Sequence, residues 1–476
     1  MFLSQWEYYP LIPLLVTLIL AFMMRSAMIA MIVGTFIGTL MIGMLPGVGL
    51  NEIFQKSLGN ADFIWICQII ILIGILFELF KKSGVLTVLA ERVMSKNQDR
   101  KRVEVSSWFM GFMIVDDYFS PLLTGAIIRP ISDRSLIPRE KLAFILDATT
   151  ASVCILFPFT AWGAYVSSLI AAQAGPIQSI EQALSIYIAA IPYNFYPIFL
   201  LIFTFLICVG LIPDFGPMRA AEERVKKTGA LFRPGSSPLI SEDDNIDISA
   251  KLNNPPSLII ELLVPIILIF GVGIVSVIFL GSVKIVEAFM LVVTYLMITS
   301  SVKGRLKNAI DAGDIIVSGM KGVSAALLII ALAYSLNAVT SELGAANLII
   351  DLFSKDLSNT TLILAAFIVT ASISFATGTS WGAYAMTIPI VLPLAYALTD
   401  GEVNSLILQT IAAIAGGGIF GDNASPVSDT TVLSSVGAGS DHIDHVVTQL
   451  PYALLIGVIS VITYICLLYT SPSPRD

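Results

Sequence analysis

Four polar clusters interrupt otherwise apolar stretches of the sequence. They are Asp117-Tyr118-Phe119-Ser120-Pro121, Thr160-Ala161-Trp162-Gly163-Ala164, Thr379-Ser380-Trp381-Gly382-Ala383 and Asp422-Asn423-Ala424-Ser425-Pro426. Proline and glycine at these points oppose continuous helix. The carbonyl groups that a broken helix frees need partners wherever water is excluded, and a cation can supply one. Ser120, Thr160, Thr379, Ser380, Asn423 and Ser425 add neutral oxygens to such a shell, and Asp117 and Asp422 add net negative charge. The competing reading is structural: the same side chains cap helix ends and hydrogen-bond between helices. For Trp162 and Trp381 packing is the simpler role.

Further candidates stand near these clusters. Asp429 and Thr430 follow Pro426 closely, and Asp147, Thr149 and Thr150 lie one to two turns into their own apolar segment. Asp116 neighbours Asp117 but would point elsewhere on a helix. Gly416-Gly417-Gly418 permits close backbone approach or a hinge, and it lacks the Lys-Ser/Thr ending of a phosphate loop. Asp441-His442-Ile443-Asp444-His445 suggests either a metal or pH-sensing site or a helix start, where acids suit the dipole. The helix start is the simpler reading.

These clusters need a membrane to position them. Hydrophobic residues make up 56% of the 476 positions and charged residues 13%, about half the usual share of roughly 25% in soluble chains. Mean hydropathy is +0.87. Apolar segments fall at roughly 10–24, 27–44, 63–80, 104–128, 141–170, 186–212, 257–280, 284–300, 322–340, 361–397, 404–437 and 447–469, many of them near the ~20 residues that cross a bilayer. The formal charge of −8 argues against a nucleic-acid partner. The four cysteines sit in apolar runs without metal-ligand or disulfide spacing and read as packing residues. No signal peptide is evident, and no catalytic motif points to an enzyme. The partners expected are the lipid bilayer and a small ion or solute. No cofactor is expected beyond the transported ions, and a homodimer is an allowed assembly.

Basic residues set the expected topology. Residues 81–102 and 129–141 are both rich in Lys and Arg, which places both flanks of 104–128 on the cytoplasmic side and predicts a re-entrant hairpin there. The acidic flanks of 361–397 predict a second hairpin entering from outside. Alternate threading then leaves only Lys56, Lys284, Lys355 and Arg475 of the 26 basic residues outside. Both termini are expected outside, and the Pro-rich stretch 213–256 is expected as a mobile cytoplasmic linker. Residues 470–476 read as a polar tail of doubtful origin.

The halves also match in register. Asp117 and Thr379 are 262 residues apart, as are Thr160 and Asp422. The expected fold is therefore an all-α polytopic membrane protein of two inverted repeats, 1–212 and 257–469. Each has five spanning helices and one re-entrant hairpin, with interrupted spans at 141–170 and 404–437. Inverted repeats with broken helices are a recurring plan of secondary transporters.

The stretch Gly421-Asp422-Asn423-Ala424-Ser425-Pro426-Val427-Ser428-Asp429-Thr430-Thr431, running on to Gly437-Ala438-Gly439-Ser440-Asp441-His442-Ile443-Asp444-His445, resembles the NhaC family of Na⁺/H⁺ antiporters. The Asp116-Asp117 hairpin and Arg129-Pro130-Ile131-Ser132-Asp133 are similar to features of that family too. The resemblance implies a secondary transporter of the cytoplasmic membrane. Exchange of Na⁺ for H⁺ at Asp117 and Asp422 is the leading expectation. Coupled transport of an organic acid or amino acid, malate- or lactate-like, is the alternative within the same superfamily.

Overall fold

The computed structural model describes residues 8–470 apart from 25–26, 46, 86–87, 89–98, 114, 116, 118, 239–255, 281–283, 346, 349–357 and 427. Asp116, residues 239–255 of the expected linker and the tail 471–476 thus lie outside the described residues. Regular structure among the described residues is helical throughout. The first half holds α1 (Ile12–Met24), α2 (Ala27–Met41), α3 (Val48–Leu58), α4 (Ala61–Ser83), α5 (Arg100–Met113), α6 (Phe119–Arg134), α7 (Arg139–Leu156), α8 (Ala161–Ala171), α9 (Ile180–Ala190) and α10 (Phe195–Cys208). After α11 (Gly216–Thr228), the second half holds α12 (Val264–Leu280), α13 (Ile285–Val302), α14 (Ala309–Gly322), α15 (Ser324–Glu342), α16 (Asn359–Thr377), α17 (Ser380–Leu398), α18 (Ser405–Ala424), α19 (Asp429–Ala438) and α20 (His442–Thr470).

Six helices among the described residues are long and apolar enough to cross a membrane, and eight spans result if each of two bent pairs is one. The bends are 47° between α7 and α8 and 48° at the junction before α10. α1 and α2 have 13 and 15 residues, short of the roughly 20 that a perpendicular crossing takes. Their outer faces suit lipid: Leu15, Ile19, Met23, Ile29, Ile32 and Leu40 are all exposed. The chain is a helical multi-pass membrane protein.

The two stretches expected as hairpins differ. α5 and α6 are 14 and 16 residues long and flank residues 114–118. α16 and α17 have 19 residues each, and each is long and apolar enough to be a span in its own right. Gly378 in the left-handed region (φ 70°) ends α16, and the Thr379 side chain accepts from Gly382 N–H to start α17. Thr160 starts α8 in the same way, accepting from Gly163 N–H at 3.2 Å.

Glycine lets the innermost helices touch. A methyl group on Gly421 would meet the Ala371 carbonyl oxygen at 2.4 Å, and one on Gly417 would meet that of Phe367 at 2.4 Å. The glycine run of α18 therefore serves close approach to α16.

The first part of the expected linker is docked rather than loose. Met218, Ala221 and Val225 form the buried face of α11. Glu222 on the same face reaches buried Lys141, whose ammonium also holds Glu104 at 3.0 Å and Asp214 at 2.9 Å. Arg100 pairs with Glu104 and Glu222. The network ties α5, α7 and α11 together, which a polar composition alone does not announce.

Candidate ion-binding site

The helix breaks after Asp422 and before Ser428 leave polar groups turned inward. Asp422, 1% exposed, lies in the last turn of α18. Its Oδ2 accepts from Ser380 Oγ at 2.8 Å. Its Oδ1 accepts from Ser428 Oγ at 2.5 Å and from Thr430 Oγ1 at 3.3 Å. Ser428 also caps α19, accepting from Thr431 N–H. Ser380 is the first residue of α17, so the positive end of that helix sits beside the carboxylate.

A second carboxylate joins the first. Asp147 of α7 is fully buried. Its Oδ2 accepts from Gln449 Nε2 at 2.6 Å and Thr431 Oγ1 at 3.2 Å, and its Oδ1 faces Ser434 Oγ at 3.4 Å. Thr431 Oγ1 also lies 3.3 Å from the Asp422 carbonyl oxygen, so one hydroxyl bridges the two residues. Asn423 Nδ2 donates to the Asp147 carbonyl at 3.3 Å, and Gln449 Nε2 reaches the Asn423 carbonyl as well. Asn423 Oδ1 is buried with no hydrogen-bond partner among the described residues.

Neutral hydroxyl and amide groups face both carboxylates, and none of the ion pairs among the described residues involves Asp147. The carboxylate and hydroxyl oxygens gathered here, with Asn423 Oδ1, are of the ligand type that suits a hard cation. No group of three or more His, Cys, Asp and Glu side chains is close enough to hold a metal ion among the described residues.

The remaining candidates fall elsewhere. Asp117, 7% exposed, is in the wall of a cavity of about 270 Å³ lined by Phe77, Phe112, Cys154, Thr160, Trp162 and Phe270 among others. Neither Asp422 nor Asp147 is among the described residues of that wall. Asp117 also borders a second space, of about 230 Å³, next to Trp381 and Gly319. Ser120 is buried in the first turn of α6. Thr160 donates to carbonyls of its own break. Ser425 donates to the Phe375 carbonyl at 2.7 Å. Thr149 and Thr150 bond back along α7 to the Ile145 and Leu146 carbonyls. The Asp429 side chain lies outside the described residues.

Trp162 and Trp381 meet edge to face with ring centres 5.6 Å apart. Trp381 also stacks on Tyr165 at 4.4 Å, whose hydroxyl donates to the Trp381 carbonyl at 2.9 Å. The starts of α8 and α17 are thus packed together by the two matching motifs.

Three contributors escaped the sequence reading as site residues: Ser428, Ser434 and Gln449. Ser428 shares the break with Asp422 and carried a local signal, as did Thr431, which stands beside the candidates Asp429 and Thr430. Gln449 carried only its polarity, one amide inside an apolar run.

The profile of the Na⁺/H⁺ antiporter family matches residues 153–467. An uncharacterized protein of Haemophilus influenzae is 29% identical over 98% of this chain and 91% of its own length. The malate-2H⁺/Na⁺-lactate antiporter of Bacillus subtilis is 37% identical over a shorter stretch, 21% of either chain. In fold, the chain is similar to the crystal structure of the Alcanivorax borkumensis YdaH transporter. The TM-score is 0.58 and 90% of each chain is covered, at 14% identity.

Proposed function

Since this chain belongs to the Na⁺/H⁺ antiporter family, we propose that it exchanges Na⁺ for H⁺ across the cytoplasmic membrane by competition at the carboxylates of Asp422 and Asp147. The supporting observation is the pair itself: two buried carboxylates faced by neutral donors, with Thr431 Oγ1 between the Asp147 carboxylate and the Asp422 main-chain carbonyl. An ionised carboxylate in a water-poor interior is costly. Either a bound proton or a bound Na⁺ removes that cost, so both loaded states are favoured over the empty one. Competition for one charge couples the two ions.

In this reading Na⁺ takes oxygens from Asp422, Asp147 and Asn423, and the hydroxyls of Ser380 and Thr430 turn their lone pairs inward. Asp117, Ser120 and Thr160 border the approach rather than the innermost shell. The two halves are inverted copies, with termini outside and the residues 213–256 inside. Relative movement of the α16–α18 unit and the flanking spans alternates access.

A second cargo is favoured by one observation: the N-termini of α8 and α17 lie at the two cavities that Asp117 borders, one of which also holds Lys81, and helix dipoles and a lysine suit a carboxylate. The malate-2H⁺/Na⁺-lactate antiporter among the relatives exchanges such solutes. Purified protein in proteoliposomes separates the readings. An outward Na⁺ gradient should acidify the lumen, and an inward one should alkalinise it, without any organic acid present. Exchange that requires malate, lactate or an amino acid would replace the first reading with the second.

A further inference from the structure

The sequence contains two histidines, and both meet one hydroxyl. Ser435 Oγ of α19 lies 2.8 Å from His445 Nδ1 and 3.1 Å from His442 Nδ1, both in the first turns of α20. The other ring nitrogens are defined by their partners. His442 Nε2 is 2.7 Å from the Pro426 carbonyl oxygen, which only accepts, so that nitrogen carries hydrogen. His445 Nε2 is 3.0 Å from Gln449 Oε1. The amide of Gln449 is oriented by its nitrogen, which donates to Asp147 and to the Asn423 carbonyl. Its oxygen therefore faces His445, and this Nε2 carries hydrogen too.

With both rings neutral, both Nδ1 atoms are acceptors. Ser435 has one hydroxyl hydrogen, and it also faces the Thr431 carbonyl oxygen at 2.8 Å. Three acceptors then compete for one hydrogen. A proton on His442 Nδ1 changes this count. His442 donates to Ser435 Oγ, and Ser435 can donate to His445. We infer that His442, Ser435 and His445 form a proton-binding site, distinct from the two carboxylates, whose occupancy is communicated to Asp147 through Gln449.

His442 is the holder because it is half-buried at the helix start, whereas His445 is fully buried and a charge there is costlier. The surrounding charges are few. Asp441 and Asp444 share its helix start, and Asp444 is paired with Arg233 at 2.9 Å. From α7, Arg139 donates to the Gly439 carbonyl and pairs with Asp133 of α6; Asp147 lies beyond Gln449. Asp422 of α18 is held by Ser428, Asp429 begins α19, and Glu222 of α11 is held by Lys141 and Arg100. α16 carries no charged residue, and the ionisable groups of α10 are Tyr196 and Cys208.

Once His442 is protonated, donors run one way: His442 to Ser435, Ser435 to His445, His445 to Gln449, Gln449 to Asp147. Such chains polarise cooperatively. The amide transmits orientation and charge, and no proton crosses it. A cation at Asp147 then opposes the proton on His442, a coupling that rests on the function proposed above.

Histidine ¹⁵N labelling of the full chain in lipid nanodiscs tests this with only two rings to assign. His442 should gain its Nδ1 proton as pH falls. His445 should remain the neutral Nε2–H tautomer while its Nδ1 signal follows the His442 titration. Ser435→Ala should remove that correlation, and Ser435→Thr, which keeps a hydroxyl, should retain it. Replacing choline with Na⁺ should move the His442 midpoint to lower pH, and Asp147→Asn should cancel the move. A His442 that stays neutral throughout, or a His445 signal indifferent to it, overturns the proton site. A midpoint indifferent to Na⁺ in protein that still exchanges Na⁺ for H⁺ overturns the coupling. Absence of exchange itself would instead refute the proposed function and leave the first two readouts standing.

Discussion

Asp117 and Asp422 stand in the same local pattern, an aspartate three residues before Ser-Pro, yet their surroundings differ in kind. Asp422 sits among hydroxyls from Ser380, Ser428 and Thr430, and its main-chain carbonyl shares the Thr431 hydroxyl with the Asp147 carboxylate. Asp117 forms part of a wall otherwise made mostly of Phe and aliphatic side chains, and borders a second space that also holds Glu78 and Lys81. The first environment can replace the hydration shell of a small ion. The second is apolar and roomy, and suits passage or a larger solute. A motif defines which residue types are present, and the partner helices define what they can do.

The sharpest way to break this comparison is to neutralise each carboxylate in turn. Asp422→Asn should reduce Na⁺-driven proton movement in proteoliposomes to the level of protein-free vesicles. Asp117→Asn should leave exchange detectable and act mainly on the apparent KM for Na⁺. Equal loss in both variants would erase the distinction.

Gln449→Ala comes next in size. Gln449 orients Asp147 without being assigned to the ion shell, so Na⁺ affinity should fall about 10- to 100-fold, as for supporting partners of metal ligands. Isothermal titration in detergent would measure it. An unchanged affinity would detach Asp147 from the site.

Gly421→Ala probes the frame behind Asp422. Its new methyl group would collide with the Ala371 carbonyl, and such overpacking costs about 1–3 kcal/mol. Thermal unfolding should show a lower Tm, together with weakened Na⁺ binding if α16 and α18 separate.

The smallest effect concerns the start of α20, away from both aspartates. Asp441 Oδ1 accepts from Asp444 N–H at 3.0 Å and its Oδ2 from Ser237 N–H at 2.8 Å. Burial works against the Asp441 carboxylate, but N–H groups of Ser237, Asp444 and Ile443 together hold it below its usual range. The stability it adds is therefore present above the unfolded carboxyl range and lost as pH falls through the folded value, below about pH 4. Asp441→Ala should cost about 0.5–2 kcal/mol near neutral pH, as other cap deletions do, and the difference should vanish in acid.

Much of this was legible in the residue order. Proline, glycine and Thr-x-Trp-Gly marked where helices stop and start, because those residues act through their own backbone. Asp422, Ser380 and Thr430 were legible for a related reason, since they cluster at such breaks. Asp147 stood out only as an acid in an apolar segment, and its partner Gln449 lies 302 positions away. No local periodicity encodes that meeting. The joint shell expected for Asp117 and Asp422 rested on two inverted hairpins meeting at the midplane, and the residue order does not say which side chains such a meeting brings together. The docked α11 was hidden for the opposite reason: its polar face dominated the composition of its stretch, while its buried ion pairs depend on Lys141 of another helix.

The central claim is that Na⁺ and H⁺ compete for the same carboxylates. Adding Na⁺ to purified protein in weak buffer and reading the pH measures this without vesicles or gradients. The account predicts proton release on adding Na⁺ to the wild type and little or none from Asp422→Asn, with K⁺ and choline as inert controls. Na⁺ binding without proton release, or release undiminished in Asp422→Asn, would contradict it.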